Sequence, residues 1–190
     1  DAISNDIEIM SRADQVLVYD LPLPAHGLRW RDLQTWWADL HKLDDEAAKR
    51  SLYKRLLSSL PENSPPQALL FETFFKHFGS RVPDLPALLP EVWLHWDPKT
   101  VRERGPEALT RYRMDFLMLL PNEVRIVVEV DGLHHYADDA GAGNPDRYAA
   151  MVRADRELRL AGYDVYRFGA AELEAHRGPD LVGAFFDRLL

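Results

Sequence analysis

Three carboxylates lie in or at the end of two strongly apolar segments. Asp115 belongs to the segment RMDFLMLL, and Glu129 and Asp131 belong to the segment VRIVVEVD. The run of β-branched residues before Glu129 predicts a strand that is buried on both faces. Because side chains alternate along a strand, Glu129 and Asp131 share one face. A buried carboxylate without a partner is costly, so each of these side chains needs a cation or a hydrogen-bond donor.

The loop between the two segments determines which residues face one another. A three-residue hairpin loop at 121–123 pairs Leu120 with Val124 and brings Asp115 directly opposite Glu129. Their Cβ atoms would then be about 4.5–5.5 Å apart, a separation at which like charges repel. A divalent cation that prefers carboxylate oxygens, Mg²⁺ or Mn²⁺, would relieve this repulsion. The three-residue register therefore predicts a metal site.

The residues alone leave other arrangements open. A two-residue loop would slip the register by one and place Asp115 and Glu129 on opposite faces, where each could pair with an arginine. In the three-residue register Arg113 falls opposite Asp131, so a simple salt bridge is the alternative there. A pair of histidines ending in His135 follows the strand, and histidine beside carboxylates suits general acid–base chemistry.

Patterns of apolar residues place the carboxylates in an α/β domain. Ser64 and Pro65, with Gln67 at the position of a capping-box partner, are typical of a helix start. Helices are predicted after Leu28 and over 45–57, 65–78, 146–161 and 179–190. Strands are predicted from Glu91 and over 111–120, 124–131 and 163–168. This order predicts a mixed β-sheet core flanked by helices over residues 64–190, preceded by a mainly helical N-terminal extension, residues 1–63.

The composition limits the class of protein. The chain has 190 residues, of which 46% are hydrophobic and 28% charged, as expected for a globular domain with a small attachment. No apolar run approaches the roughly 18 residues of a membrane helix. The absence of cysteine excludes disulfides and thiol catalysis and fits a cytoplasmic location. The first residue is Asp1, so we expect the chain to be part of a longer polypeptide.

The net charge is acidic. It is −8, from 23 Lys and Arg against 31 Asp and Glu, whereas proteins that bind nucleic acid through their general field are usually basic. Any contact with nucleic acid must therefore be local, assisted by a divalent metal, or supplied by the rest of the polypeptide.

The motifs around the carboxylates resemble the PD-(D/E)XK endonuclease superfamily, and within it the Vsr-like (very-short-patch-repair-like) branch. The segments that carry the likeness are RMDFLMLL, VVEVDGLHHY and VRADRELRLAGYDVYRF, within roughly residues 64–170. They supply an Asp on one strand, Glu-x-Asp-Gly-x-x-His on the next, and Asp-Arg on a helix before a Gly-Tyr-x-Val-x-Arg-Phe strand. The chain departs from the family at Asp131, which stands where the family carries a lysine.

The resemblance implies a restriction-endonuclease-like fold that hydrolyses phosphodiester bonds. Asp115, Glu129 and the Val130 carbonyl would hold Mg²⁺ or Mn²⁺, and His135 would orient a water or protonate the leaving oxygen. Because Asp131 replaces the lysine that helps to activate the attacking water, His135 or a second metal ion would have to take over that role.

The resemblance also implies residues outside the strands. Glu72 would add a carboxylate from the preceding helix, and Arg147, Arg153 and Arg156 would contact phosphates. A solvated helix face, with two aspartates of the same helix as partners, is the alternative for these arginines.

The expected partner is nucleic acid, DNA rather than RNA, and a bacterial defence or restriction-type protein is the expected context. The competing hypotheses are a catalytically inactive binding module with the same fold, and an interaction domain that uses its Trp-rich helix.

Overall fold

The computed structural model describes residues 17–95, 111–132 and 143–190. The helices in these ranges are α1 (Trp30–His41), α2 (Asp45–Leu57), α3 (Pro65–Phe78), α4 (Pro145–Leu160) and α5 (Gly178–Leu189). The strands are β1 (Leu89–His95), β2 (Arg111–Leu119), β3 (Arg125–Asp131) and β4 (Tyr163–Gly169). These boundaries lie at or close to the predicted ones, because strong periodicity and clear helix stops marked most of them.

The strands form one mixed sheet in the order β1-β2-β3-β4. β2 and β3 are antiparallel neighbours, whereas β3 and β4 are parallel. A parallel pair needs a long crossover connection, and α4 lies in the segment that joins these two strands. The predicted α/β architecture, a mixed sheet flanked by helices, is confirmed.

The β2–β3 hairpin has the predicted three-residue loop. Leu119 is paired with Arg125, and the Leu120 N–H donates to the Val124 carbonyl at 2.9 Å. In this connection, Pro121–Glu123, both Asn122 and Glu123 have left-handed backbone conformations, with φ 60 and 61. The register that depended on this loop length is therefore confirmed, and the two-residue alternative is excluded.

One face of the sheet is covered by aromatic side chains of α3 and α5. Phe116 of β2 stacks on Phe71 of α3, with ring centroids 6.4 Å apart. Phe185 of α5 packs edge-on against Tyr166 and Phe168 of β4, at 5.3 and 5.0 Å. We call this side of the sheet the aromatic face.

The opposite side carries the acidic residues. Strand alternation and the paired registers place on it Asp115 and Leu117 of β2, Val127, Glu129 and Asp131 of β3, and Val165 and Arg167 of β4. We call this side the carboxylate face. Helix α4 is joined to it by an ion pair between Asp155 and Arg167.

The segment before α1 is bound to the end of the sheet. The Leu28 N–H donates to the Leu119 carbonyl at 3.0 Å, and the Leu28 carbonyl accepts from the Ala87 N–H at 2.8 Å. Gly27 has φ +80, and a Cβ at this position would lie 2.2 Å from the Leu119 carbonyl oxygen. Only glycine allows so close an approach at the end of β2.

The Trp-rich helix α1 is part of the core. Trp30, Trp36 and Trp37 are 2%, 6% and 9% exposed. The Trp30 ring packs edge-on against Phe75 of α3 at 4.9 Å. The tryptophans are therefore buried within the chain itself, which disfavours the hypothesis that they dock onto another protein.

Of the described residues, 23–92, 114–132 and 143–190 belong to one compact unit, and 17–22, 93–95 and 111–113 belong to a second. The first unit includes residues on both sides of position 63, and the assignment of 1–63 as a separate extension stays a prediction. None of the helices described above is both long enough and apolar enough to cross a membrane.

Helix α3 begins at Pro65 as predicted, but without the predicted capping box. The Ser64 side chain makes no capping hydrogen bond. Gln67 is 4% exposed, and its Oε1 has no hydrogen-bond partner within the described part of the chain. Packing of the Gln67 side chain into the interior has taken precedence over the local interaction.

Gly27→Ala should destabilise the protein more than Gly162→Ala. Gly162 has φ +86 but nothing within 4 Å of an added Cβ, so its substitution costs only the backbone strain, about 1–2 kcal/mol. Gly27→Ala adds overpacking against Leu119, about a further 1–3 kcal/mol. Urea unfolding of both variants measures the difference, and equal destabilisation would contradict the close approach at Gly27.

Candidate functional site

Asp115 and Glu129 are neighbours on the carboxylate face. The last paired residues of β2 and β3 at this end are Phe116 and Val128, and Asp115 and Glu129 are the next residues beyond that pair. Their side chains are almost fully buried, at 6% and 4% exposure. Strand alternation places both on the same face of the sheet, so the two carboxylates lie near each other in surroundings of low polarity.

The Asp115 side chain takes the place of a backbone acceptor. The Val130 N–H donates to Asp115 Oδ2 at 2.8 Å in a buried hydrogen bond. In a regular ladder this N–H would donate to a backbone carbonyl of β2, and the same residue's C=O would point to the same neighbouring strand. The Val130 carbonyl is therefore directed toward the strand that carries Asp115, which suits the role of third oxygen ligand that the resemblance implies.

Only one oxygen of the Asp115 carboxylate has a hydrogen-bond partner among the described residues. Within the described part of the chain, the bond from Val130 is the only hydrogen bond or ion pair of the Asp115 carboxylate. A buried carboxylate usually has more than one partner, because each oxygen can accept two hydrogen bonds. Oδ1 therefore has no partner among the described residues.

Asp131 belongs to a separate ion-pair arrangement. Its Oδ1 lies 2.6 Å from Nη1 of Arg167, whose Nη2 and Nε lie 2.7 and 2.8 Å from Oδ1 of Asp155 on α4. The side chains of Asp131, Arg167 and Asp155 are 10%, 17% and 24% exposed. We call these three residues the arginine clamp. Hydrogen-bonded ion pairs with so little exposure hold their partners in one geometry.

The clamp accounts for the residue that departs from the family pattern. A salt bridge with Arg113 was the alternative for Asp131 on sequence grounds, and the structure pairs Asp131 with Arg167. Arg167 is in parallel register with Glu129, so the guanidinium lies on the same face as both carboxylates. Asp131 is bound to Arg167, which argues against a direct role in holding a metal.

The carboxylate face has an excess of negative charge. Asp115, Glu129, Asp131 and Asp155 together carry four carboxylates, and Arg167 supplies one guanidinium, so these five residues sum to −3 when all are ionised. Charges in a poorly solvated environment interact strongly. Glu129, Asp131 and Arg167 also make interactions outside this set, so the sum describes these five residues alone. The carboxylate oxygen of Asp115 that has no partner among the described residues is Oδ1.

Glu72 is not brought to this site. It lies on α3, which covers the aromatic face, and its side chain is exposed. Its electrostatic neighbour is Tyr53 of α2: burial, and in addition the negative charge of Glu72, raise the pKa of the Tyr53 hydroxyl. Among the described residues no group of three or more His, Asp and Glu side chains is arranged to hold a metal ion.

The remaining predicted site residues are His135 and the three arginines of α4. His135 lies outside the described residues. Arg147 is half-buried on α4, whereas Arg153 and Arg156 on the same helix are exposed.

The arginine clamp was not predicted from the sequence. Asp155 was considered as a partner for arginines on its own helix, Arg167 was noted only through the resemblance, and no local spacing connects either of them to Asp131. The parallel register of β3 and β4 brings them together, and that register depends on how α4 packs on the sheet. The signal in the sequence was limited to an arginine at a half-buried position of a predicted strand.

Arg167→Met should destabilise the protein by about 3 kcal/mol, because it leaves Asp131 and Asp155 as facing carboxylates without their shared cation. Urea unfolding measures the loss. The triple variant Arg167→Met, Asp131→Asn, Asp155→Asn should regain most of it, since the unpaired charges are removed. If the triple variant is no more stable than the single variant, the charges of the clamp do not explain the effect.

Glu72→Gln should lower the pKa of Tyr53 toward its ordinary value and leave divalent metal binding unchanged. The physical reason is that Glu72 acts on Tyr53 and lies away from Asp115. The ultraviolet absorbance of tyrosinate across an alkaline pH series reports the pKa, with Tyr53→Phe identifying the signal. Loss of metal binding in Glu72→Gln would contradict this and would show that Glu72 contributes to the metal site.

Comparisons with known proteins find no match: no family model, no curated protein and no solved structure matches this chain. A function for the protein must therefore be inferred from Asp115, Glu129 and the charges around them.

Proposed function

We propose that this chain is a metal-dependent nuclease domain with a restriction-endonuclease-like fold that hydrolyses phosphodiester bonds. The observation that carries the proposal is the two buried carboxylates, Asp115 and Glu129, on the same face of neighbouring strands and just beyond their last paired residues. The resemblance to Vsr-like endonucleases supports DNA as the substrate and a bacterial defence or restriction-type protein as the context.

The chemistry of the available ligands favours Mg²⁺ or Mn²⁺. Asp115 Oδ1, the Glu129 carboxylate and the Val130 carbonyl are all oxygen donors. Hard divalent cations prefer such donors and keep several waters when few protein ligands are present. Because the chain has no cysteine, a zinc–thiolate site is excluded.

The protein contributes position and charge to the reaction. When bound, a divalent cation neutralises the phosphate and lowers the pKa of a coordinated water. The hydrogen bond from the Val130 N–H holds Asp115 in place before the cation arrives. Arg167 keeps Asp131 neutralised, so Asp131 is not needed as a ligand and Asp115 and Glu129 supply the carboxylates for the cation. In this proposal His135 transfers the proton, in place of the missing lysine.

A second candidate function is a catalytically inactive binding module with the same fold. Two observations favour it: Asp131 occupies the position of the lysine and binds Arg167, and the described residues bring together only two carboxylates without a third ligand side chain. In this alternative, the two carboxylates serve the structure, and nucleic acid or another partner binds without being cleaved.

Asp115→Asn and Glu129→Gln should each abolish metal binding and cleavage. Each change keeps the size of the side chain and removes a charge, so the loss in metal affinity should be at least about 100-fold. Asp164→Asn is the matched control, because Asp164 is an exposed carboxylate on β4 of the same sheet. The measurements are calorimetric titration with Mn²⁺ and cleavage of duplex DNA, single-stranded DNA and RNA in Mg²⁺ or Mn²⁺.

The results separate the two candidate functions. Cleavage by the native chain that persists in Asp164→Asn and is lost in both site variants supports the nuclease. Metal binding without cleavage of any substrate, or full cleavage in both site variants, contradicts it. His135→Ala should keep metal binding and lose cleavage, which distinguishes a proton-transfer role from a ligand role.

A further inference from the structure

Helix α4 carries a row of arginines on its outer side. Arg153, Arg156 and Arg159 are spaced three residues apart, and all three are exposed. Residues at this spacing are neighbours on a helix surface, and a rise of 1.5 Å per residue spreads the row over about 9 Å. We call these three residues the arginine row.

The arginine row is not neutralised by the described part of the protein. Within residues 17–95, 111–132 and 143–190, none of its three side chains makes an ion pair or a hydrogen bond. Asp155, the acidic residue of α4 that precedes Arg156, binds Arg167 in the clamp instead. The chain has 31 acidic and 23 basic side chains, yet these three arginines have no acidic partner among the described residues. Adjacent like charges repel one another and favour an anionic ligand.

We propose that the arginine row is the surface on which nucleic acid docks, through its phosphates, on the outer side of the helix that the arginine clamp joins to β4. This proposal rests on the proposed function and names the partner of that same site. Phosphates follow one another every 3.4 Å along the axis of each strand of a duplex, so a row of about 9 Å can contact about three of them. Planar guanidinium groups match the geometry of phosphate oxygens.

The arginine clamp connects the row to the candidate site. Asp155 and Arg156 are consecutive, and Asp155 is directed to Arg167 on β4 whereas Arg156 is exposed. Through the clamp, α4 is held on the side of the sheet that carries Asp115 and Glu129. A nucleic acid bound along the row would therefore lie on the same side of the sheet as the proposed cation.

The neighbouring surface of α4 suits nucleic acid better than an acidic peptide. Tyr148 and Val152 lie one turn apart on α4 and are 57% and 37% exposed. An exposed tyrosine beside arginines offers a platform on which bases can stack. Arg147, which the sequence included among the phosphate-binding residues, is half-buried, and Arg159 takes its place in the row.

The test compares two triple variants with the same change in charge. Arg153→Ala, Arg156→Ala, Arg159→Ala removes the row. Lys49→Ala, Arg50→Ala, Lys54→Ala removes three exposed cations from α2, which packs beside α3 and the aromatic face. Binding of a fluorescent duplex DNA is followed by polarisation over a series of salt concentrations, in EDTA so that no cleavage occurs. Circular dichroism and melting temperature verify that both variants are folded.

The row variant should bind duplex DNA at least about 10-fold more weakly at low salt. Its slope of log affinity against log salt should fall by about 2.7, or about 0.9 for each phosphate that the protein no longer neutralises. The α2 variant should retain the native affinity and slope. The proposal is overturned if the native chain does not bind DNA at low salt, or if the row variant behaves like the α2 variant. It is also overturned if poly-glutamate binds to the row as tightly as DNA does.

These outcomes are distinguishable from failure of the proposed function. Binding in EDTA requires neither a divalent cation nor hydrolysis. If DNA binds through the row but no substrate is cleaved in Mn²⁺, the catalytic proposal fails and the docking surface stands. If cleavage depends on Asp115 and Glu129 but the row variant binds and cleaves normally, the docking proposal fails and the nuclease stands.

Discussion

Asp115 and Glu129 are like charges, almost fully buried, on the same face of neighbouring strands and just beyond their last paired residues. Like charges near each other in a poorly solvated environment repel. The surrounding structure supplies compensation: the Val130 N–H donates to one oxygen of Asp115. The other oxygen of Asp115 has no partner among the described residues, and it is the physical basis for proposing a divalent cation at this position.

The arginine clamp neutralises part of the negative charge near Asp115 and Glu129, and it links β3 and β4 to α4. Arg167 binds both Asp131 and Asp155, so one guanidinium neutralises a carboxylate at the end of β3 and fixes the helix that follows. Asp131, which departs from the family pattern, thereby has a structural partner. Because Asp155 is engaged in this way, it does not neutralise the arginines on the outer side of α4. The charge balance of the site is thus connected to the proposed docking surface.

Packing on the aromatic face stabilises the sheet that carries the buried carboxylates. Phe116, adjacent to Asp115 in sequence, is fully buried and stacks on Phe71, while Phe74 and Phe186 pack edge-on at 4.9 Å between α3 and α5. Because side chains alternate along β2, Phe116 packs on the aromatic face and Asp115 lies on the carboxylate face. Burial of large aromatic side chains contributes the free energy that offsets the electrostatic cost of the carboxylate face.

Several features were determined by the sequence alone because their causes are local. The three-residue loop at 121–123 set the β2–β3 register, and with it the shared face of Asp115 and Glu129, since hairpin register follows from loop length. Helix boundaries followed from periodicity and from stops such as Gly79. Only the tertiary structure decided the rest. The clamp between Asp131 and Arg167 depends on a parallel register that no loop length determines, and Glu72 is separated from the carboxylates because packing placed α3 on the aromatic face. The predicted capping box did not form because Gln67 was buried, an outcome that depends on the whole core and not on the spacing of four residues.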